Sequence, residues 1–81
     1  MNFKVIDYFG RNRGVFFSRE EADACAHVVE ARTRDWYRSD PKHRLFCDYR
    51  SGRDRELTTD EQIQRSKCII DYTDDKVTVT M

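Results

Sequence analysis

Apolar residues recur along this chain with two different periods, and the changes of period mark its elements. From Ser18 to Tyr37 the period is helical. Ala22, Cys25, Ala26, Val29, Thr33 and Trp36 fall at three- and four-residue steps on one stripe. Asp23, His27, Glu30, Arg34 and Arg38 fall away from it. Ser18 and Glu21 stand in S-x-x-E order, a capping box in which each side chain reaches the other's backbone N–H. Asp40-Pro41 ends the helix, because proline drives the residue before it out of the helical region. The stripe is small until Trp36, so the helix is expected to lie close to a sheet and to close its far end with one large ring.

Elsewhere the pattern is strand-like. Phe3 to Phe9 is rich in β-branched and aromatic residues, Gly10 to Gly14 is a turn, and Val15-Phe16-Phe17 returns. Arg44 to Arg50 is another strand, followed by a turn at Ser51 to Arg55. Thr58–Glu61 and Thr59–Gln62 both read as capping boxes for a short helix near Thr59–Ser66. Cys68 to Thr73 and Lys76 to Met81 are strands joined at Asp74-Asp75. These elements predict an α+β domain: a small antiparallel sheet of four or five strands packed on one main helix, plus one short helix.

A tetrad of two apolar residues, Asp and Tyr occurs three times before a turn: Val5-Ile6-Asp7-Tyr8, Phe46-Cys47-Asp48-Tyr49 and Ile69-Ile70-Asp71-Tyr72. With the hydroxyl caps at Ser18 and Thr59, the first two suggest a degenerate strand–turn–strand–helix repeat over 3–38 and 44–67, within a single domain spanning 1–81. Aligning the tetrads assigns the faces. The expected core is Ile6, Tyr8, Ala22, Cys25, Ala26, Val29, Trp36, Leu45, Cys47, Tyr49, Ile63, Cys68, Ile70, Val77 and Val79. The outer sheet face then carries Phe3, Val5, Phe9 and Phe46, an apolar surface to be capped within the chain or met by a partner, a second copy included.

Composition narrows the picture. At 81 residues the chain builds one modest core. Charged residues, at 37%, nearly equal hydrophobic ones, at 38%, and no apolar run is long enough to span a bilayer. The start of the chain goes straight into strand-like alternation, without a signal-peptide pattern. Three unpatterned cysteines favour reduced thiols and a cytoplasmic setting.

Candidate chemistry is thin. Cys25, His27, His43, Cys47 and Cys68 are zinc-capable, but Cys25 and His27 lie about 200° apart around a helix and cannot share an ion. There is no C-x-x-C and no phosphate-cradling glycine motif, and nothing places a cysteine nucleophile beside a histidine base. The expectation is no enzyme, no catalytic residue, no metal and no cofactor.

The basic residues say more. Eleven of the fifteen are arginine, the cation suited to bidentate contacts with carboxylate or phosphate. Arg11 and Arg13 occupy one turn, Arg53 and Arg55 another, and Arg38 and Tyr37 lie at the helix end. These six are the candidate partner-binding residues, with Phe3, Val5, Phe9 and Phe46 as a second surface. Tyr, Trp, Phe and Arg are the types that anchor protein interfaces. The expected function is therefore non-enzymatic protein binding. In size and style alone, the chain is similar to bacterial or phage accessory proteins that bind and inhibit a host machine, anti-defence and anti-CRISPR inhibitors among them. No family motif is matched, so no residue role follows. The alternative is nucleic-acid binding through arginine-tipped turns, against which stands a formal net charge of zero.

Overall fold

The computed structural model describes residues 1–48 and 50–78. In chain order the elements are β1 (Asn2–Ile6), β2 (Asn12–Phe16), α1 (Arg19–Ser39), a 3₁₀ turn (Pro41–Arg44), β3 (Leu45–Asp48), β4 (Arg53–Glu56), α2 (Thr59–Ser66) and β5 (Ile69–Thr73). Among the described residues no helix is long and apolar enough to cross a membrane.

Local chemistry explains both helices. The Ser18 hydroxyl accepts from the Glu21 N–H at 3.2 Å. At α2 the reciprocal box forms on Thr58 rather than Thr59: Thr58 accepts from Glu61 N–H, and Glu61 accepts from Thr58 N–H. Asp40 is extended ahead of Pro41, and its carboxylate accepts from the Lys42 N–H, which closes α1 and caps the 3₁₀ turn.

Among the described residues the five strands form two sheets. One has the order β2-β1-β5; the other is the β3–β4 hairpin alone. This corrects the expected single sheet of four or five strands. All four residues of β4, Arg53-Asp54-Arg55-Glu56, are exposed, and Leu45 and Cys47 of β3 are exposed as well. That hairpin brings little apolar surface to lay against the first sheet, so little favours joining it.

The core lies between the three-stranded sheet and α1. Val5, Phe16, Ala22, Cys25, Ala26 and Val29 form it, with Phe3, Cys68 and Ile70 packed around them. The small stripe of α1 does let the helix sit close to the sheet. The face expected of β1, however, is reversed: Val5 is 0% exposed, whereas Tyr8 is half exposed and Ile6 is outside the cluster. Register is the reason. Val5 stands opposite Ile70 and Gly14, and Phe3 opposite Tyr72 and Phe16. Opposed residues share a face. The tetrad alignment matched Val5 to Ile69 and so slipped by one residue, which turns every side chain over. The other face of β1 also carries Lys4, opposite Asp71. Burying those charges against α1 would cost more than burying Ile6 returns.

Further corrections follow from the same packing. Tyr37, at 2% exposure, is buried at the end of α1, while Trp36, at 46%, is not. Leu57 and Val15 are buried, and Ile63 is exposed. Tyr49 and Val79 of the expected core, and the second half of the expected last strand, lie outside the described residues. Thr78 pairs with Val15 on the outer edge of β2, so the chain crosses from β5 to the far side of the sheet. On the way, Asp75 accepts from the Asn2 amide at 2.8 Å and pairs with Lys4 at 3.6 Å. Gly14 makes this crossing possible. Its φ is +145°, and a Cβ there would stand 2.9 Å from the Phe16 ring and 3.3 Å from the Thr78 carbonyl.

Candidate binding groove

Asp7 is buried at the end of β1 and organises the turn that follows. Its carboxylate accepts from the Phe9 and Arg11 N–H groups and from Arg13 Nε, each at 2.9 Å. The backbone closes the same loop, with Asp7 N–H donating to Arg11 and Gly10 N–H donating to Asp7. Gly10 supplies the positive φ of 82° that the turn needs. A buried carboxylate with three donors is well compensated, and charge-assisted bonds of this kind are strong.

The turn projects Phe9, Arg11 and Arg13 toward α1, where Val29, Arg32, Thr33 and Trp36 complete a groove of about 550 Å³. Arg13 is neutralised by Asp7. The guanidiniums of Arg11 and Arg32 make no hydrogen bond, ion pair or ring contact among the described residues, and no acidic residue lines the groove. Most of the other arginines are engaged: Arg19, Arg38 and Arg44 pair with Asp23, Asp35 and Glu56. The groove is thus a place where positive charge is left over in a chain of zero net charge.

Its aromatic wall is fixed. Trp36 stacks on His43, with centroids 4.0 Å apart and planes 6° from parallel. His43 Nδ1 lies 2.7 Å from the Trp36 carbonyl. A carbonyl only accepts, so Nδ1 carries the proton and donates. The Ser39 hydroxyl donates to the same carbonyl at 2.8 Å.

A second cluster joins the two hairpins. The Arg65 guanidinium lies 5.7 Å from the Tyr8 ring and 4.8 Å from the Phe46 ring, and Arg55 lies 5.1 Å from Phe46. Arg55 in turn holds Glu61 through two bonds of 2.7 and 2.8 Å. Those bonds, and then the Thr58 N–H, pull the Glu61 carboxyl down to about 2.

The expected partner-binding residues therefore separate. Arg11 and Arg13 line the groove. Arg38 is exposed and paired to Asp35, and Arg53 is exposed on the second hairpin. Arg55 is committed to Glu61 and Phe46. Tyr37 is buried, with no face to offer. The second surface does not survive as one face: Val5 is in the core, Phe3 packs on it, Phe46 lies under two arginines, and Phe9 joins the groove. Arg32, Thr33 and Trp36 were not read as site residues. The signal available was the i,i+4 spacing of Arg32 and Trp36 on a helix, which places a cation beside an exposed ring.

The thiols do not form a site. Cys25 is buried, its thiol faces the Arg13 carbonyl at 3.7 Å, and desolvation raises its pKa. Burial, with nearby Glu30, pushes the Cys68 thiol up to about 11. Among the described residues no three His, Cys, Asp or Glu side chains converge as metal ligands. No protein-family model, curated protein or solved structure matches this chain.

Proposed function

We propose that the chain is a non-enzymatic binding domain that works by holding another protein, as an inhibitor or adaptor does, with the groove between the first hairpin and α1 as its contact site. One observation carries this reading: two unpaired guanidiniums stand beside two exposed aromatic rings in one groove that no acidic residue lines. Arginine and tryptophan are the types whose truncation costs most at interfaces. The size and style of phage and bacterial accessory proteins fit such a role, and three unpaired cysteines suit a cytoplasmic setting.

Nucleic-acid binding is the second reading, favoured by the Trp36 and Phe9 rings beside the arginines, an arrangement on which an unpaired base can stack. A pull-down from bacterial lysate with and without nuclease separates the two. The expected result is a protein retained after nuclease by the wild type and lost by the Arg11→Ala/Arg32→Ala variant. Retention that vanishes with nuclease would replace the first reading by the second.

A further inference from the structure

We infer that the ligand of the groove is an acidic peptide segment carrying an aromatic side chain; this rests on the protein-binding reading and names what the partner presents. The two open guanidiniums, Arg11 and Arg32, come from different elements of one groove, so two carboxylates of one segment can each find a bidentate partner. Part of the lining is apolar: Val29 is largely buried beneath it, and Thr33 spends its hydroxyl on the Val29 carbonyl. Phe9 and Trp36 also line the groove, and a ligand ring can pack edge-on or offset against such rings. A volume of about 550 Å³ holds a few side chains and not a long polymer.

The charge pattern favours carboxylates over a phosphate backbone. Nonspecific affinity for single strands grows with the number of neutralised phosphates, and two contacts give a log–log salt slope of only about −1.4. Asp35, which precedes Trp36 on α1, is exposed and already holds Arg38. Arg13 adds little attraction, because Asp7 cancels it. A short peptide needs no basic track beyond the two open arginines.

Trp36 is the sole tryptophan, so its emission reports on the groove directly. The probe is a blocked pentapeptide, Asp-Glu-Phe-Asp-Glu, titrated beside its Asn/Gln counterpart and a thymidine oligonucleotide. The expected result is a saturable emission change with the acidic peptide, weakened at least about ten-fold, or roughly 1.4 kcal/mol, by Arg11→Ala/Arg32→Ala and by the Asn/Gln peptide. Arg53→Ala, on the other hairpin, leaves it unchanged. Circular dichroism melts of each variant guard against unfolding. Equal binding by the double variant, or saturation by the oligonucleotide and not by the peptide, overturns the inference. If the peptide fails while the wild type still retains a nuclease-resistant protein, the ligand class falls and the protein-binding reading stands. If both fail, both fall.

Discussion

Burial of the Asp7 carboxylate is tolerated because three donors converge on it: two backbone N–H groups of its own turn and the Arg13 side chain. Removing such a partner strands the donors that remain. Asp7→Ala is expected to cost about 2–3 kcal/mol, less than a fully buried pair because Arg13 is partly exposed. Urea denaturation measures it, and an unchanged midpoint would show that the turn holds itself. The same variant should loosen Arg11, whose backbone is tied at both ends to Asp7. Asp7 was legible as a strand residue just before a turn and not as a buried one, since strand alternation does not say which face is covered. Trp36 and Tyr37 present the same ambiguity. Both lie within one turn of the α1 stripe, and the choice between them came from packing: Tyr37 went in, and Trp36 stacked on His43.

At the scale of elements, the second hairpin depends on ion pairs more than on burial. Every residue of β4 is exposed, and Arg55 reaches from it to Glu61 on α2. Glu61 is held down to about 2 from an ordinary 4.5. A carboxyl whose folded pKa is depressed stabilises fully above its unfolded value and loses that contribution as pH falls through its folded one. The pair should therefore act in full above about pH 4.5 and fade toward pH 2. Amide shifts of β4 and α2, followed by NMR between those values, should move together, and Glu61→Gln should flatten the step. A titration identical in wild type and variant would assign the change to another carboxyl. The helices themselves were readable from caps and periodicity, because an S-x-x-E or T-x-x-E signal acts within one turn. The division of five strands into two sheets was not, because alternation describes one strand and says nothing of which strand lies beside it.

Over the whole molecule, the cation–π bridge of Arg65 ties Tyr8, in the first turn, to Phe46, in the second hairpin. Arg65→Ala should lower the protection of β3–β4 amides by about 1–2 kcal/mol, two modest ring contacts, and leave the amides of β1 and β5 almost unaffected. Hydrogen exchange checks this, and equal loss in both sheets would mean that they unfold as one unit. The bridge also bears on the groove, since Tyr8 precedes Phe9 and lies edge-on to it at 5.6 Å. Charge behaves in the same distributed way. The chain as a whole is neutral, yet Arg11 and Arg32 stand together in one groove with no acidic residue lining it.

The sequence by itself determined what is local: α1 and its small inner stripe, the caps of Ser18 and Thr58, the glycine turns, the α+β class and the richness in arginine. Each depends on residues within a turn or two of one another. Tertiary structure alone decided what depends on register and on distant contacts. It turned Val5 rather than Ile6 toward the helix, because Val5 stands opposite Ile70. It buried Asp7, split the sheets, and sent Thr78 to the edge of β2. It also gathered the groove, since nothing local links Phe9 and Arg11 to Arg32 and Trp36. A strand pattern reads equally well on either face until a neighbouring strand is chosen, and that choice is made by the core as a whole.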